Sequence, residues 1–181
     1  MKTEILVLGS RDVGKTTLVN ALAGWDILPQ ADDTTCFPTA DFPQVPFGEN
    51  HLLTDSPGYD FSPEEYDPRL PEKIRSADKI LILLSMGFRE DMAQERRLLK
   101  KLLAGVKKET LYFVIPYASG NWAEGKVPLL SMKLAAMVGY RLPLGKIFCA
   151  DAMAGLVAAI EDDADALHAS GIARLRARLI K

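Results

Sequence analysis

A chain of 181 residues is long enough for one well-cored domain and short for two. Hydrophobic residues make up 48% and charged residues 25%, an ordinary globular mix, and the formal net charge of −2 argues against nucleic acid or an acidic membrane as a bulk electrostatic partner. No apolar run approaches the roughly 20 residues of a membrane-spanning helix. The opening "MKTEILVLG" leads directly into a strand and carries no small-residue cleavage site, which argues against a secretory signal. Cys36 and Cys149 have no metal-ligand spacing, so the expectation is two reduced thiols in a cytoplasmic protein.

In chain order, the first apolar run is "EILVL", Glu4 to Leu8. It is nearly continuous, as strands buried on both faces of a parallel sheet are. A glycine-rich turn and a helix over Lys15 to Gly24 follow. "ADFPQVPF" reads as a strand that Pro43 and Pro46 confine to an edge or make irregular. "FGEN" then reads as the turn of a hairpin into a buried strand at His51 to Asp55. A short helix near Pro71 to Ala77 precedes a strand at Lys79 to Leu84, and a helix over Asp91 to Leu103 precedes one at Leu111 to Ile115. A helix over Pro128 to Val138 precedes a strand at Lys146 to Ala150. The last helix, Ile172 to Leu179, sets Ile172, Leu175 and Leu179 on one side and its arginines on the other. Strands alternating with helices predict an α/β fold with right-handed crossovers. No repeat, low-complexity tract or linker interrupts the pattern, so residues 1–181 read as a single domain.

Two short motifs carry chemistry. Gly9 to Thr16, "GSRDVGKT", has the form Gly-x-x-x-x-Gly-Lys-Thr, the phosphate-binding P-loop. Its glycines let backbone N–H groups turn inward around phosphates, and the helix that follows presents its positive end. Lys15 adds a point charge for the terminal phosphates, and the Thr16 hydroxyl is a ligand for Mg²⁺. The loop sets Arg11, Asp12, Val13, Gly14, Lys15, Thr16 and Thr17 around the nucleotide. Arg11 reads as a solvated side chain more than as an internal arginine finger, and Asp12 as facing Arg11 or solvent. The second motif is Asp55-Ser56-Pro57-Gly58 at the end of an apolar strand. Asp55 can hold a water on Mg²⁺, and the Gly58 N–H can bond to a terminal phosphate, an interaction made only while that phosphate is present.

The order of P-loop, threonine-bearing segment, "DSPG", strand, helix and strand resembles the translation-factor-related class of P-loop GTPases. "DSPG" is similar to the Asp-Thr-Pro-Gly of the Era-like, TrmE-like and dynamin-like branches. "LHASGIARLRARLI" is similar to the helix that closes many dynamin-like G domains. The resemblance covers nearly the whole chain and implies a three-layer G-domain fold, a six-stranded, mostly parallel sheet with helices on both faces. It implies a Mg²⁺-dependent protein that binds GTP and GDP and hydrolyses GTP slowly as a molecular switch, with a protein effector and a nucleotide-dependent homodimer as partners. The resemblance assigns catalysis to Lys15, Gly58 and a threonine of "QADDTTCFPTADF", with Thr35 the first choice over Thr34 and Thr39. Thr35 would join Thr16 and Asp55 at the metal.

The base-reading motif of this class, Asn/Thr-Lys-x-Asp, is replaced. Pro116 takes the Asn/Thr position, Tyr117 the lysine and Ser119 the aspartate. A serine accepts one bond where a carboxylate receives two N–H groups, a loss of roughly 1.5–3 kcal/mol. Tyr117 can stack on the base in place of the lysine stem. Ala150 and Asp151 of "FCADAMAG" stand where the class has its Ser-Ala-Lys motif; Asp151 either supplies the missing carboxylate or caps a helix. Tyr59 stands where some GTPases carry a water-positioning glutamine. The competing expectation is a pseudo-GTPase, an interaction module with weak or relaxed nucleotide binding. Of the remaining features, Trp25 is expected to pack at a helix end, and "EDDAD" (Glu161 to Asp165) to form a solvated face.

Overall fold

A computed structural model describes residues 2–25, 28, 41–60, 66–84, 92–116, 135 and 143–181. Six strands form one sheet: β1 (Thr3–Gly9), β2 (Gln44–Phe47), β3 (His51–Asp55), β4 (Lys79–Leu83), β5 (Leu111–Pro116) and β6 (Ile147–Ala150), in the order β2-β3-β1-β4-β5-β6. All neighbours are parallel except the β2–β3 hairpin. The helices with described bounds are α1 (Lys15–Ala23), α2 (Leu70–Ser76), α3 (Met92–Leu102), α4 (Ala152–Ile160), α5 (Ala164–Ala169) and α6 (Ile172–Leu179).

The continuous apolar strands have a direct cause: the sheet is covered on both faces. Along β1, Ile5 and Val7 join a core with Leu18 and Leu22 of α1 and Leu175 and Leu179 of α6. Leu6 and Leu8, one pleat away, join the opposite core with Ile74 of α2, Leu99 of α3 and Phe113 of β5. Alternation therefore sorts side chains between two buried faces rather than between core and water. β2 is different, with Val45 and Phe47 buried and Gln44 and Pro46 exposed, as befits an edge. Its turn into β3 uses Gly48 at φ 62, a left-handed conformation that suits glycine.

Most expected boundaries move by a residue or so. Lys146 belongs to a 3-10 turn (Leu144–Lys146) rather than to the last strand. Met92–Leu102 replaces a slightly wider helical expectation, and Leu70–Ser76 starts and ends one residue before the expected Pro71 to Ala77. The stretch after β6 holds two further helices where only a helix start at Asp151 was foreseen. "EDDAD" is exposed, as expected, yet it also builds structure: the Asp163 side chain caps α5 by accepting the Ala166 N–H at 2.9 Å. Trp25 departs from expectation. It follows the C-cap of α1 but is 64% exposed, so it does not pack there. The expected helix over Pro128 to Val138 lies, Ala135 aside, outside the described residues. Among the described residues no helix is long and apolar enough to cross a membrane.

Candidate functional site

The site forms where β1 and β3 end side by side, paired from Thr3↔His51 to Val7↔Asp55. That register brings Gly9–Thr16 and Asp55–Gly58 together although they are some forty residues apart. β1 runs into its turn with no room to spare: a Cβ on Gly9 would meet Val13 Cγ1 at 2.8 Å and the Leu83 carbonyl at 3.0 Å. Val13 is buried in the core, so it can offer a ligand only its main chain. Asp12 (φ 57) and Gly14 (φ 90) take left-handed conformations that fold the turn back toward α1. α1 begins with no side-chain cap and no acidic residue in its first turn, which leaves its N–H groups to an external anion. Arg11 and Asp12 are exposed, while Thr17 is half-buried.

Lys15, by contrast, is only 7% exposed. Its ammonium donates to the Ser10 carbonyl at 2.7 Å. Burial pushes its pKa down, and the nearby carboxylates of Asp55 and Asp12 oppose that shift. The Thr16 hydroxyl donates to Asp55 Oδ2 at 2.7 Å. Asp55 is 1% exposed, and its other oxygen, Oδ1, is buried with no hydrogen-bond partner among the described residues. Burial pushes the Asp55 pKa up, against the pull of Thr16 and Lys15. An unpaired buried carboxylate oxygen beside a threonine hydroxyl and a buried ammonium is costly as it stands. A hard divalent cation relieves that cost, because both groups offer oxygen donors of the kind Mg²⁺ takes. No group of three or more His, Cys, Asp or Glu among the described residues could hold a metal. The donor set therefore suits an ion that completes its shell with water and phosphate.

The strand end after Asp55 is pinned. The Ser56 hydroxyl donates to the Val7 carbonyl at 2.6 Å. The Tyr59 main chain makes an isolated parallel bridge to Ser10, donating to the Gly9 carbonyl at 3.3 Å and accepting from the Arg11 N–H at 3.0 Å. Gly58 is pressed onto the loop, where a Cβ would stand 2.8 Å from Arg11 N and 2.9 Å from Lys15 Nζ. The Tyr59 side chain does not face the loop. It is fully buried in the core on the α2–α3 side, and its hydroxyl donates to Glu95 Oε1 of α3 at 3.2 Å. In this conformation its hydroxyl is directed away from the loop, in line with the missing water-positioning glutamine at this position. The pair was not legible from sequence; the only signal was an aromatic residue where a glutamine stands in some relatives.

At the other end, β5 and β6 finish together at the pair Pro116↔Ala150. Ala150 is fully buried, and Pro116 offers neither an amide nor a hydroxyl side chain. Asp151 caps α4, its Oδ1 accepting the Ala154 N–H at 3.0 Å, and its own N–H donates to the Ser170 carbonyl at 2.8 Å. The carboxylate thus makes a helix cap. Thr35, Thr34, Thr39, Tyr117 and Ser119 lie outside the described residues.

Residues 4–115 match the family model described as "50S ribosome-binding GTPase". No curated protein matches the chain in sequence. Many solved structures share its fold, three of them as follows. Toc33 from Arabidopsis thaliana in complex with Mg²⁺ and GMPPNP is 17% identical with a TM-score of 0.58, over 83% of this chain and 71% of that one. The "probable GTP-binding protein engB" is 15% identical with a TM-score of 0.54, over 98% and 97%. A bacterial dynamin from an oligomerised pair that senses and tethers membranes is 13% identical with a TM-score of 0.67, over 99% of this chain and 38% of its own.

Proposed function

The chain belongs to the 50S ribosome-binding GTPase family, and from that premise we propose that it is a Mg²⁺-dependent switch that binds GTP and GDP and hydrolyses GTP slowly. One observation carries this reading: the buried, unpartnered Asp55 Oδ1 beside the Thr16 hydroxyl and the Lys15 ammonium. Cost without a ligand and relief with one is what a metal-nucleotide site requires. The Toc33 structure, which holds Mg²⁺ and GMPPNP on the same fold, supports the choice of ligand.

In this reading the N–H groups of the Arg11 to Thr17 turn and the uncapped start of α1 hold the phosphates. Thr16 and Asp55 hold Mg²⁺, with Thr35 as the expected third residue of the chain. When bound, the ion neutralises charge on the phosphate oxygens. Lys15 stabilises the same charge from the protein side, and the Gly58 N–H meets the terminal phosphate. Water attacks that phosphate in line, forming one P–O bond as the bond to the leaving diphosphate breaks. Tyr59, and not a glutamine, follows Gly58 in the chain, which agrees with slow turnover. Tyr117, Ser119, Ala150 and Asp151 border the base. Residues 1–181 act as one G domain in the cytoplasm, with an effector protein and a nucleotide-dependent homodimer as partners.

Calorimetric titration of the purified protein with GDP, GMPPNP and ATP, each with Mg²⁺ and with EDTA, tests the reading. Guanine nucleotides are expected to bind, more tightly with Mg²⁺, and Lys15→Ala is expected to weaken that binding by about two to three decades. Nucleotide uptake indifferent to Mg²⁺ and to Lys15→Ala would show that the site lies elsewhere.

A further inference from the structure

The nucleotide reading leaves one buried pair unused. Tyr59 is fully buried and Glu95 is 2% exposed, with the phenol donating to the carboxylate. Removing a carboxylate from water is costly, and an apolar residue would fill this space under α3 at lower cost. The pair sits one residue from the glycine that meets the terminal phosphate. The Tyr59 main chain spends both its N–H and its carbonyl on the loop, through Gly9 and Arg11. Held this way, Gly58 lies against the loop main chain and the Lys15 ammonium, since even a methyl group there would stand 2.8 Å from the Arg11 nitrogen and Cα and 2.9 Å from Lys15 Nζ. In the nucleotide reading a terminal phosphate comes between that ammonium and the Gly58 amide, and a diphosphate places nothing there.

We propose that Glu95, acting through Tyr59, is a positioning residue that holds Gly58 down on the loop and so sets the preference for diphosphate over triphosphate. The Tyr59–Glu95 bond is made with diphosphate bound and released with triphosphate bound, which carries the presence of the third phosphate to α3. This rests on the nucleotide reading above and adds the origin of its discrimination.

The test is titration of the wild type, Tyr59→Phe, Glu95→Ala and Glu95→Gln with GDP and with GMPPNP in the presence of Mg²⁺, alongside melting temperatures without nucleotide. Tyr59→Phe and Glu95→Ala lose a bond to a charged acceptor in one state only. The ratio of the GMPPNP to the GDP dissociation constant is therefore expected to fall by about three- to tenfold. Glu95→Gln keeps an acceptor oxygen and is expected to stay within about twofold of the wild-type ratio. A merely structural role lowers the melting temperature and weakens both nucleotides in proportion; an unchanged ratio in Tyr59→Phe overturns the inference and leaves the nucleotide reading standing. Tyr59→Phe decides the matter even if Glu95→Ala fails to fold. A wild-type protein that takes up neither nucleotide overturns the nucleotide reading, and this inference with it.

Discussion

The phosphate end and the base end of the site are built from the same elements, a strand terminus followed by a helix start, and they treat polar groups in opposite ways. At the phosphate end α1 starts without a cap, and Asp55 keeps one buried oxygen unpaired. At the base end α4 starts with a cap, and Asp151 is spent on it. A helix start that awaits a ligand is left open at some cost to stability, whereas one that only frames the site closes on its own side chain. In the proposed reading polyphosphate is held by the main chain and side chains of Gly9 to Thr16 together with Asp55, while the described part of the base end is mostly architecture.

That contrast can be broken at either end. The largest effect belongs to Lys15→Ala, which is expected to weaken GDP and GMPPNP by two to three decades, roughly 3–4 kcal/mol. Titration calorimetry measures it, and a loss below tenfold would mean that the ammonium does not face the phosphates. Gly171→Ala strikes the frame of the base end. The residue has φ 82, and a Cβ would stand 2.3 Å from the Cys149 carbonyl. It is expected to cost about 2–3 kcal/mol, which lowers the melting temperature by roughly 4–12 °C. Asp151→Ala removes a cap worth about 1 kcal/mol and should lower the melting temperature by roughly 2–4 °C. The preference for GTP over ATP is expected to stay within about twofold; a tenfold change would give the carboxylate a base-reading role after all.

The smallest effect is one of pH. Burial raises the Asp55 pKa above its unfolded value. The folded state then binds the proton more tightly than the unfolded state, so this group's contribution falls as pH rises from about 4 through the raised value. Melting temperatures taken upward from about pH 4 should show that decline in EDTA. With Mg²⁺ and GDP bound, the ionised carboxylate is the favoured form, and the gap between the two curves should widen with pH. Parallel curves would mean that Asp55 does not meet the metal.

What could be read from the sequence was what is local or covered on both faces. The P-loop and "DSPG" are short and demand particular residues, so their places were legible. The strands were legible because Ile5 and Leu6 are both buried, one in each core. Pro46 announced the edge. α4 was half legible: its cap showed, but its length did not, because "AMAGLVAAI" lacks a clean polar face. Asp163 looked like one charge among four, and only the fold makes it a cap. Tyr59 and Glu95 are 36 residues apart with no shared pattern, and their meeting depends on where α3 comes to rest over the sheet.

Pro46 has a consequence for how copies of this chain can meet. It pairs with Leu52 on the outermost strand, exposed and without an N–H to offer. A second molecule trying to continue the sheet alongside β2 finds a missing rung, which is how natural sheets discourage fusion at their rims. Sheet continuation along the β2 rim is therefore a poor route to self-association, and the other rim, β6, carries no proline among Ile147–Ala150.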